Sequence, residues 1–276
     1  MNPQELLVSP SWLSQHLDDP SIRVLDASVV LGVDPETGQP RAESGRPQWL
    51  QSHIPGSGFA DLLDLSDPNE PGPYKLPSAE AFAEGMGRLG VGSDTRVVAY
   101  AREIYWATRL WWMLRVFGHD KASVLDGGWQ AWRQANLPVS QEESAYPPAV
   151  FKARVRPQLL ARLDQVEAYV RDGGKCLVNA LPPEMHRAGR IPGSLNVPFR
   201  LLLDSSGRFL PPDRIEAEFE QHGLPGPDRP LATYCGAGAA ATVDAFALAM
   251  TGRQVAVYDG SLMEWAADPE RPVQTG

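Results

Sequence analysis

The pentapeptide His53-Ile54-Pro55-Gly56-Ser57 is answered by Arg190-Ile191-Pro192-Gly193-Ser194, at a separation of 190 − 53 = 137 positions. Two further pairs follow in the same order. Val97-Val98-Ala99-Tyr100 matches Leu231-Ala232-Thr233-Tyr234 at 231 − 97 = 134, and Val124-Leu125-Asp126-Gly127-Gly128 matches Val257-Tyr258-Asp259-Gly260-Ser261 at 257 − 124 = 133. One shared pentapeptide arises readily by chance. Three ordered matches at nearly one spacing indicate a duplicated unit, so the chain must satisfy one fold twice.

Within each copy, short β-branched runs alternate with stretches of helical period, which is the pattern of βα units on a parallel sheet. The first copy predicts strands over Ile22 to Ala27, Arg96 to Tyr100 and Ala122 to Leu125. Between them, Ser78 caps a helix that stops at Gly90, and a second helix runs from Ile104 to Phe117 and stops at Gly118. The second copy predicts strands at Lys175 to Asn179, Pro230 to Tyr234 and Gln254 to Tyr258, with helices over roughly Asp213 to Gln221 and Gly238 to Met250. The fold class is α/β, two similar domains, each a parallel sheet flanked by helices. The proline-rich stretch between the copies reads as a linker over 141–157, leaving domains at 1–140 and 158–276.

Composition narrows the functional classes. A net charge of -9 without any Lys/Arg run excludes nucleic acid as the main partner, because phosphate binding needs a basic footprint. No stretch of 18 apolar residues occurs, and residues Met1 to Pro10 lack the basic start and apolar centre of a signal peptide, so no membrane partner is expected. The two cysteines, Cys176 and Cys235, form no spaced framework. These features together predict a cytoplasmic protein. The histidines at 16, 53, 119, 186 and 222 lack metal-ligand spacing, and neither a metal nor a cofactor is expected.

Chemistry concentrates in one loop. Leu231 to Tyr234 reads as a strand, and Cys235-Gly236-Ala237-Gly238-Ala239-Ala240 follows as a glycine-rich turn leading into a helix. The carboxyl end of a strand in an open α/β sheet is where ligands bind. Gly236 and Gly238 free the backbone to turn its N–H groups inward, and the helix N-terminus adds partial positive charge. Such surroundings favour a thiolate at Cys235. Cys176, in Lys175-Cys176-Leu177-Val178, has no such turn and reads as a small buried hydrophobe. A cysteine phosphatase would need an arginine closing the loop, and the sixth residue after Cys235 is Ala241. Aligning Tyr100 with Tyr234 places Ala101 against Cys235, so the first copy has no nucleophile at its matching strand end.

These residues resemble the tandem rhodanese-type sulfurtransferases over nearly the whole chain, from Leu7 to Val273. The resemblance rests on the two Ile-Pro-Gly turns and on Trp111 to His119. It extends through Val124 to Trp129, Tyr258 to Ser261 with Glu264-Trp265, and the cysteine loop. It implies two rhodanese-like domains, the second catalytic. Cys235 would take a sulfane sulfur from a small donor, hold it as a persulfide, and pass it to cyanide, a thiol or a protein acceptor. The loop residues Gly236, Ala237, Gly238, Ala239 and Ala240 would bind the transferred sulfur. The Cys-Gly-x-Gly loop is similar to that of members preferring 3-mercaptopyruvate over thiosulfate. Such members carry a hydroxyl where this chain has Ala237, and an arginine where it has Leu181. Arg190 and Arg187 are the substitutes expected to grip a donor carboxylate, since a guanidinium fork matches it. His53 is a further candidate, although a histidine before a turn proline also reads as structural. Asp126 and Asp259 read as loop-bracing acceptors, and Trp111, Trp112, Trp129 and Trp265 as packing. The competing expectation is a degenerate rhodanese-like module that binds sulfur or senses redox state with little turnover.

Overall fold

A computed structural model of the chain describes residues 5–35, 38, 40–70, 72–173, 176–226 and 229–276. The chain divides into two compact units, Glu5–Val155 and a second beginning at Arg156. The first contains β1 (Leu7–Val8), α1 (Pro10–Ser14), β2 (Ile22–Asp26), β3 (Val29–Val33), β4 (Pro40–Ser44), α2 (Arg46–Gln51) and β5 (Gly58–Phe59). It continues through α3 (Ala79–Arg88), β6 (Arg96–Tyr100), α4 (Ile104–Val116), β7 (Ala122–Leu125) and α5 (Gly128–Gln134). The second holds β8 (Leu160–Ala161), α6 (Leu163–Arg171), β9 (Leu177–Asn179), α7 (Pro183–Ala188) and β10 (Leu195–Asn196). It ends with α8 (Pro212–Gln221), β11 (Ala232–Tyr234), α9 (Ala241–Met250), β12 (Ala256–Tyr258) and α10 (Ser261–Trp265).

The two sheets have one topology. The first runs β1-β7-β6-β2-β5 and the second, read from its other edge, β8-β12-β11-β9-β10, with every pairing in both parallel. Counting along the chain only the strands of each five-stranded sheet, the first lies at one edge and the third at the other. The central strands are buried on both faces, as a sheet covered on both sides requires: Val97 to Tyr100 and Ala232 to Tyr234 are fully buried. Helices α4 and α9 pack against these strands, and Trp111, Trp112, Trp129 and Trp265 are all buried as expected. Among the described residues no helix is long and apolar enough to cross a membrane.

Hydrogen bonds repeat with the fold. The Trp132 indole donates to Pro138 O at 2.8 Å and the Trp265 indole to Pro272 O at 2.9 Å. His53 exchanges backbone bonds with Ser140, as Arg190 does with Gln274. The copies diverge between their second strand and the Ile-Pro-Gly turn. The first inserts the antiparallel β3–β4 hairpin there, whereas the second enters the short α7 directly.

Helix α9 starts at Ala241 rather than Gly238, because the residues between them form the loop around Cys235. The strand expected from Lys175 is resolved from Leu177, and Lys175 lies outside the described residues. Residues 141–157 run along the first unit as far as Val155 instead of standing clear of it. Tyr146 accepts from Val24 N and donates to Gly56 O, Phe151 meets Phe82 edge-on, and Ala149 N and Arg154 N donate to Gly87 O and Phe117 O.

One buried acid has no visible partner for its carboxylate among the described residues. Asp244, in the first turn of α9, is fully buried, and no hydrogen bond to either carboxylate oxygen is found among the described residues. Burial pushes its carboxyl well above the ordinary range, so the folded chain carries it neutral. The unfolded chain ionises this group above about pH 4. The native state therefore holds the extra proton, and stability falls as pH rises from that point towards the native-state value. Asp244→Asn, which cannot ionise, should melt progressively higher than wild type between pH 5 and pH 8. A difference in melting temperature that does not vary with pH would contradict a neutral buried acid.

Candidate active site

The carboxyl end of β11 is held from two sides. On one side, the Tyr234 hydroxyl accepts from Ile191 N at 3.0 Å and bonds Ser194 Oγ at 2.7 Å, tying the strand to the Ile191-Pro192-Gly193-Ser194 turn. Burial raises the phenol above its ordinary range, so the hydroxyl stays protonated. Tyr100 repeats the arrangement in the first unit, with Ser57 at 2.9 Å and Ile54 N at 3.3 Å. On the other side, Cys235 N donates to Ser261 Oγ at 3.1 Å, Leu262 N to Cys235 O at 3.1 Å, and Met263 N to Gly236 O at 3.0 Å. The cysteine is thereby clamped against the first turn of α10.

The loop then folds over the sulfur. Gly238 N donates to Cys235 Sγ at 3.1 Å, and the Ser261 hydroxyl lies 3.9 Å from the same atom. Gly238 takes φ +93°, open to glycine and costly for other residues, whereas Gly236 does not need a positive φ. No acceptor among the described residues takes the amides of Gly236, Ala237, Ala239 or Ala240. The loop, immediately ahead of the ten-residue α9, thus offers unspent donors beside a helix N-terminus. Cys235 is 3% exposed. Unspent amides and partial positive charge around an enclosed sulfur are the donors that an anionic sulfur adduct would call on.

The same strand end in the first unit is chemically blank. Ala101 O accepts from Trp129 N at 3.0 Å, the counterpart of the Cys235 to Leu262 bond. A Cβ at Gly128, φ +54°, would stand 2.5 Å from Ala101 O. Arg102 follows Ala101 and spends its guanidinium on Gln48 O and Ser52 O.

Comparison with known proteins agrees with this geometry. The rhodanese-like domain pattern matches twice, over residues 9–135 and 162–268. The chain belongs to the tandem rhodanese-type sulfurtransferases. It is 33% identical over 280 residues to the 3-mercaptopyruvate sulfurtransferase of Escherichia coli (strain K12), covering 97% of this chain and 97% of the relative. It is 36% identical to the thiosulfate sulfurtransferase of Rattus norvegicus, over 98% of this chain and 95% of the relative. The crystal structure of SseA, the E. coli 3-mercaptopyruvate enzyme, superposes with a TM-score of 0.82 at 32% identity, over 92% of this chain and 98% of that one. The chain is thus an enzyme that transfers sulfur.

Within this sulfurtransferase, the residues singled out from sequence separate into groups. Cys235 and the loop from Gly236 to Ala240 come together. Arg190 lies at the Ile-Pro-Gly turn, where its Nη1 donates to Gly276 O at 2.7 Å. Exposed Arg187 accepts from Gly276 N through its backbone carbonyl. His186, which precedes Arg187, is pushed down to about 4 by burial and by the charges of Arg190 and Arg187. His53, fully buried, turns Nδ1 to Trp49 O at 2.7 Å and Nε2 to Glu142 O at 3.1 Å while stacking on Trp49. Both of its ring nitrogens are thus engaged within the first unit. At Leu181, the backbone is held by Asn179 Oδ1 on its amide and by Asn196 Nδ2 on its carbonyl.

Ser261, which marks the repeat and belongs to the family resemblance, is not among the site residues expected from the sequence, yet it lies against the Cys235 sulfur. The available signal was its alignment with Gly128, which makes a hydroxyl-bearing residue occupy a glycine position.

Tyr234→Phe should leave the Ile191 amide and the Ser194 hydroxyl without their buried partner and cost about 2 kcal/mol. Urea unfolding of wild type and variant measures this; an unchanged midpoint and slope would show that the hydroxyl does not carry the turn.

Proposed function

We propose that Cys235 is the sulfur carrier and that it works through a persulfide. The Cys235 thiolate attacks the donor's transferable sulfur, and the bond joining that sulfur to the donor breaks with its electron pair leaving on the remnant: sulfite from thiosulfate, or pyruvate from 3-mercaptopyruvate once its carbon takes up the thiol proton. An acceptor such as cyanide or a thiol then removes the outer sulfur. The observation that carries this reading is the loop itself. Cys235 combines an amide already on its sulfur with neighbouring amides unspent, while the equivalent Ala101 cannot bear sulfur at all. An anionic persulfide needs hydrogen-bond donors and no general base once formed. We further propose that the first copy, 1–140, serves as a non-catalytic domain and the second, 158–276, as the catalytic one.

The donor we favour is 3-mercaptopyruvate over thiosulfate. Relatives named for either donor match at similar identity, so this preference rests on electrostatics. Thiosulfate brings two negative charges towards a thiolate, which calls for cations within reach to offset like-charge repulsion. The loop from Gly236 to Thr242 contains none. A monoanionic 2-oxo acid needs one guanidinium fork. Arg190 or Arg187 is the proposed source, beside the turn that Tyr234 ties to the cysteine strand. Arg190 would exchange its present bond to Gly276 O for the donor carboxylate.

Cys235→Ser should abolish cyanide-dependent thiocyanate release, whereas Cys176→Ser should retain most of it, since Cys176 is a core residue packed with Tyr169 and Leu177. Transfer persisting in the Cys235 variant would refute the carrier assignment. The ratio of kcat/KM for the two donors should favour 3-mercaptopyruvate. Arg190→Ala should lower kcat/KM for that donor by about 2 kcal/mol of transition-state binding if it grips the carboxylate. A preference for thiosulfate would overturn the donor choice, and an unaltered ratio in the variant would take Arg190 out of the site.

A further inference from the structure

The described residues give the Cys235 sulfur two donors, the Gly238 amide and the Ser261 hydroxyl. Ser261 is fully buried and takes φ +53°, one of three described non-glycine residues on the positive side. Left-handed backbone is unfavourable for an L-residue, and serine gains little there. The repeat shows that the backbone shape itself does not require the serine, because Gly128 holds the same place in the first unit at φ +54°. Where the strand ends in alanine, the facing residue is glycine. Where it ends in cysteine, a strained residue brings a hydroxyl to the sulfur.

That hydroxyl has three neighbours. It accepts from Cys235 N at 3.1 Å, donates to Tyr258 O at 2.8 Å, and stands 3.9 Å from Sγ. A hydroxyl has one hydrogen, so donation to Tyr258 O and donation to the sulfur are alternatives. We propose that Ser261 is a charge-responsive donor to Cys235, its O–H directed at Tyr258 O while Sγ is uncharged and turning to Sγ when that atom becomes anionic.

The proposal rests on Cys235 as the sulfur carrier and assigns Ser261 a role in discharge. The acceptor, cyanide or a thiolate, attacks the outer sulfur of the persulfide and forms a new bond to it. The sulfur–sulfur bond breaks, its electron pair stays on Cys235 Sγ, and no proton moves. One negative charge is thus delivered to a buried atom whose loop side chains, from Gly236 to Ala240, offer no donor. A hydroxyl that turns towards the emerging thiolate stabilises the product side of this step, as charge-assisted bonds do.

The test uses the full chain in a Cys176→Ser background, with Ser261→Gly and Ser261→Ala compared with the parent. The rate of Cys235 alkylation by iodoacetamide is followed against pH by intact mass. The expected result is an upward displacement of the thiolate midpoint by about one unit in both variants, giving about tenfold slower alkylation at pH 7. Single-turnover discharge to cyanide should slow in parallel. The glycine variant relieves the backbone and takes the conformation that Gly128 holds in the first unit, so it carries the test even where the alanine variant folds poorly. An unmoved midpoint in the glycine variant would overturn the proposal, as would a displacement confined to the alanine variant, which would make it a backbone effect. Alkylation reads the thiolate without turnover, so this failure is distinct from failure of the carrier reading, which Cys235→Ser retaining transfer would reveal.

Discussion

The end of strand β11 is the point on which the second unit depends. Tyr234 and Cys235 are adjacent, and each is bound to a different turn. The Tyr234 hydroxyl draws in the Ile191 to Ser194 turn, while the Cys235 backbone is bonded to Ser261 and Leu262 at the start of α10. Because one partner is held by the Tyr234 side chain and the other by the Cys235 main chain, one short segment serves both without conflict. The sulfur then needs only a loop that folds back over it. Gly238 provides that return with a backbone angle few other residues tolerate and an N–H directed at Sγ.

Duplication makes the physical requirements of the site readable by difference. Both units keep the tyrosine-to-turn bond, the backbone bond from the Asp-Gly segment to the strand end, and the same order of five strands. These features serve the fold, since the unit without a cysteine needs them equally. What only the second unit has is the thiol, an uncharged loop around it, and a serine hydroxyl in place of Gly128. In the first unit the position after Ala101 is Arg102, whose charge is absorbed by backbone carbonyls of α2 and the residue after it. In the second, the position after Cys235 is Gly236, which adds no side chain. The loop that follows Cys235 therefore offers main-chain donors and keeps its own side chains clear of the sulfur.

Much of this was legible in the sequence because it depends on local pattern. The repeat marks, the central strands, the stops at Gly90 and Gly118, and the buried tryptophans all follow from periodicity and turn chemistry. What escaped was non-local. Tyr146 is bonded to Val24 N, 122 positions earlier, so nothing near residues 141–157 signals that they are fastened to the first unit. Arg190 meets Gly276, 86 positions away, an encounter the turn sequence does not foretell. His53 drew notice as a titratable residue, but its two carbonyl partners come from separate segments. Asp244 sits in an otherwise apolar helix run, where only the three-dimensional packing reveals a carboxyl sealed without a partner.

The central claim is that Cys235 holds the sulfur between donor and acceptor, and single-turnover mass spectrometry addresses it most directly. Mixing excess enzyme with 3-mercaptopyruvate should add one sulfur atom to the peptide containing Cys235, and to no other. Cyanide should then remove it, at least as fast as steady-state turnover, with thiocyanate appearing in equal amount. Thiocyanate formed without that adduct, or an adduct discharged too slowly to account for turnover, would contradict the account.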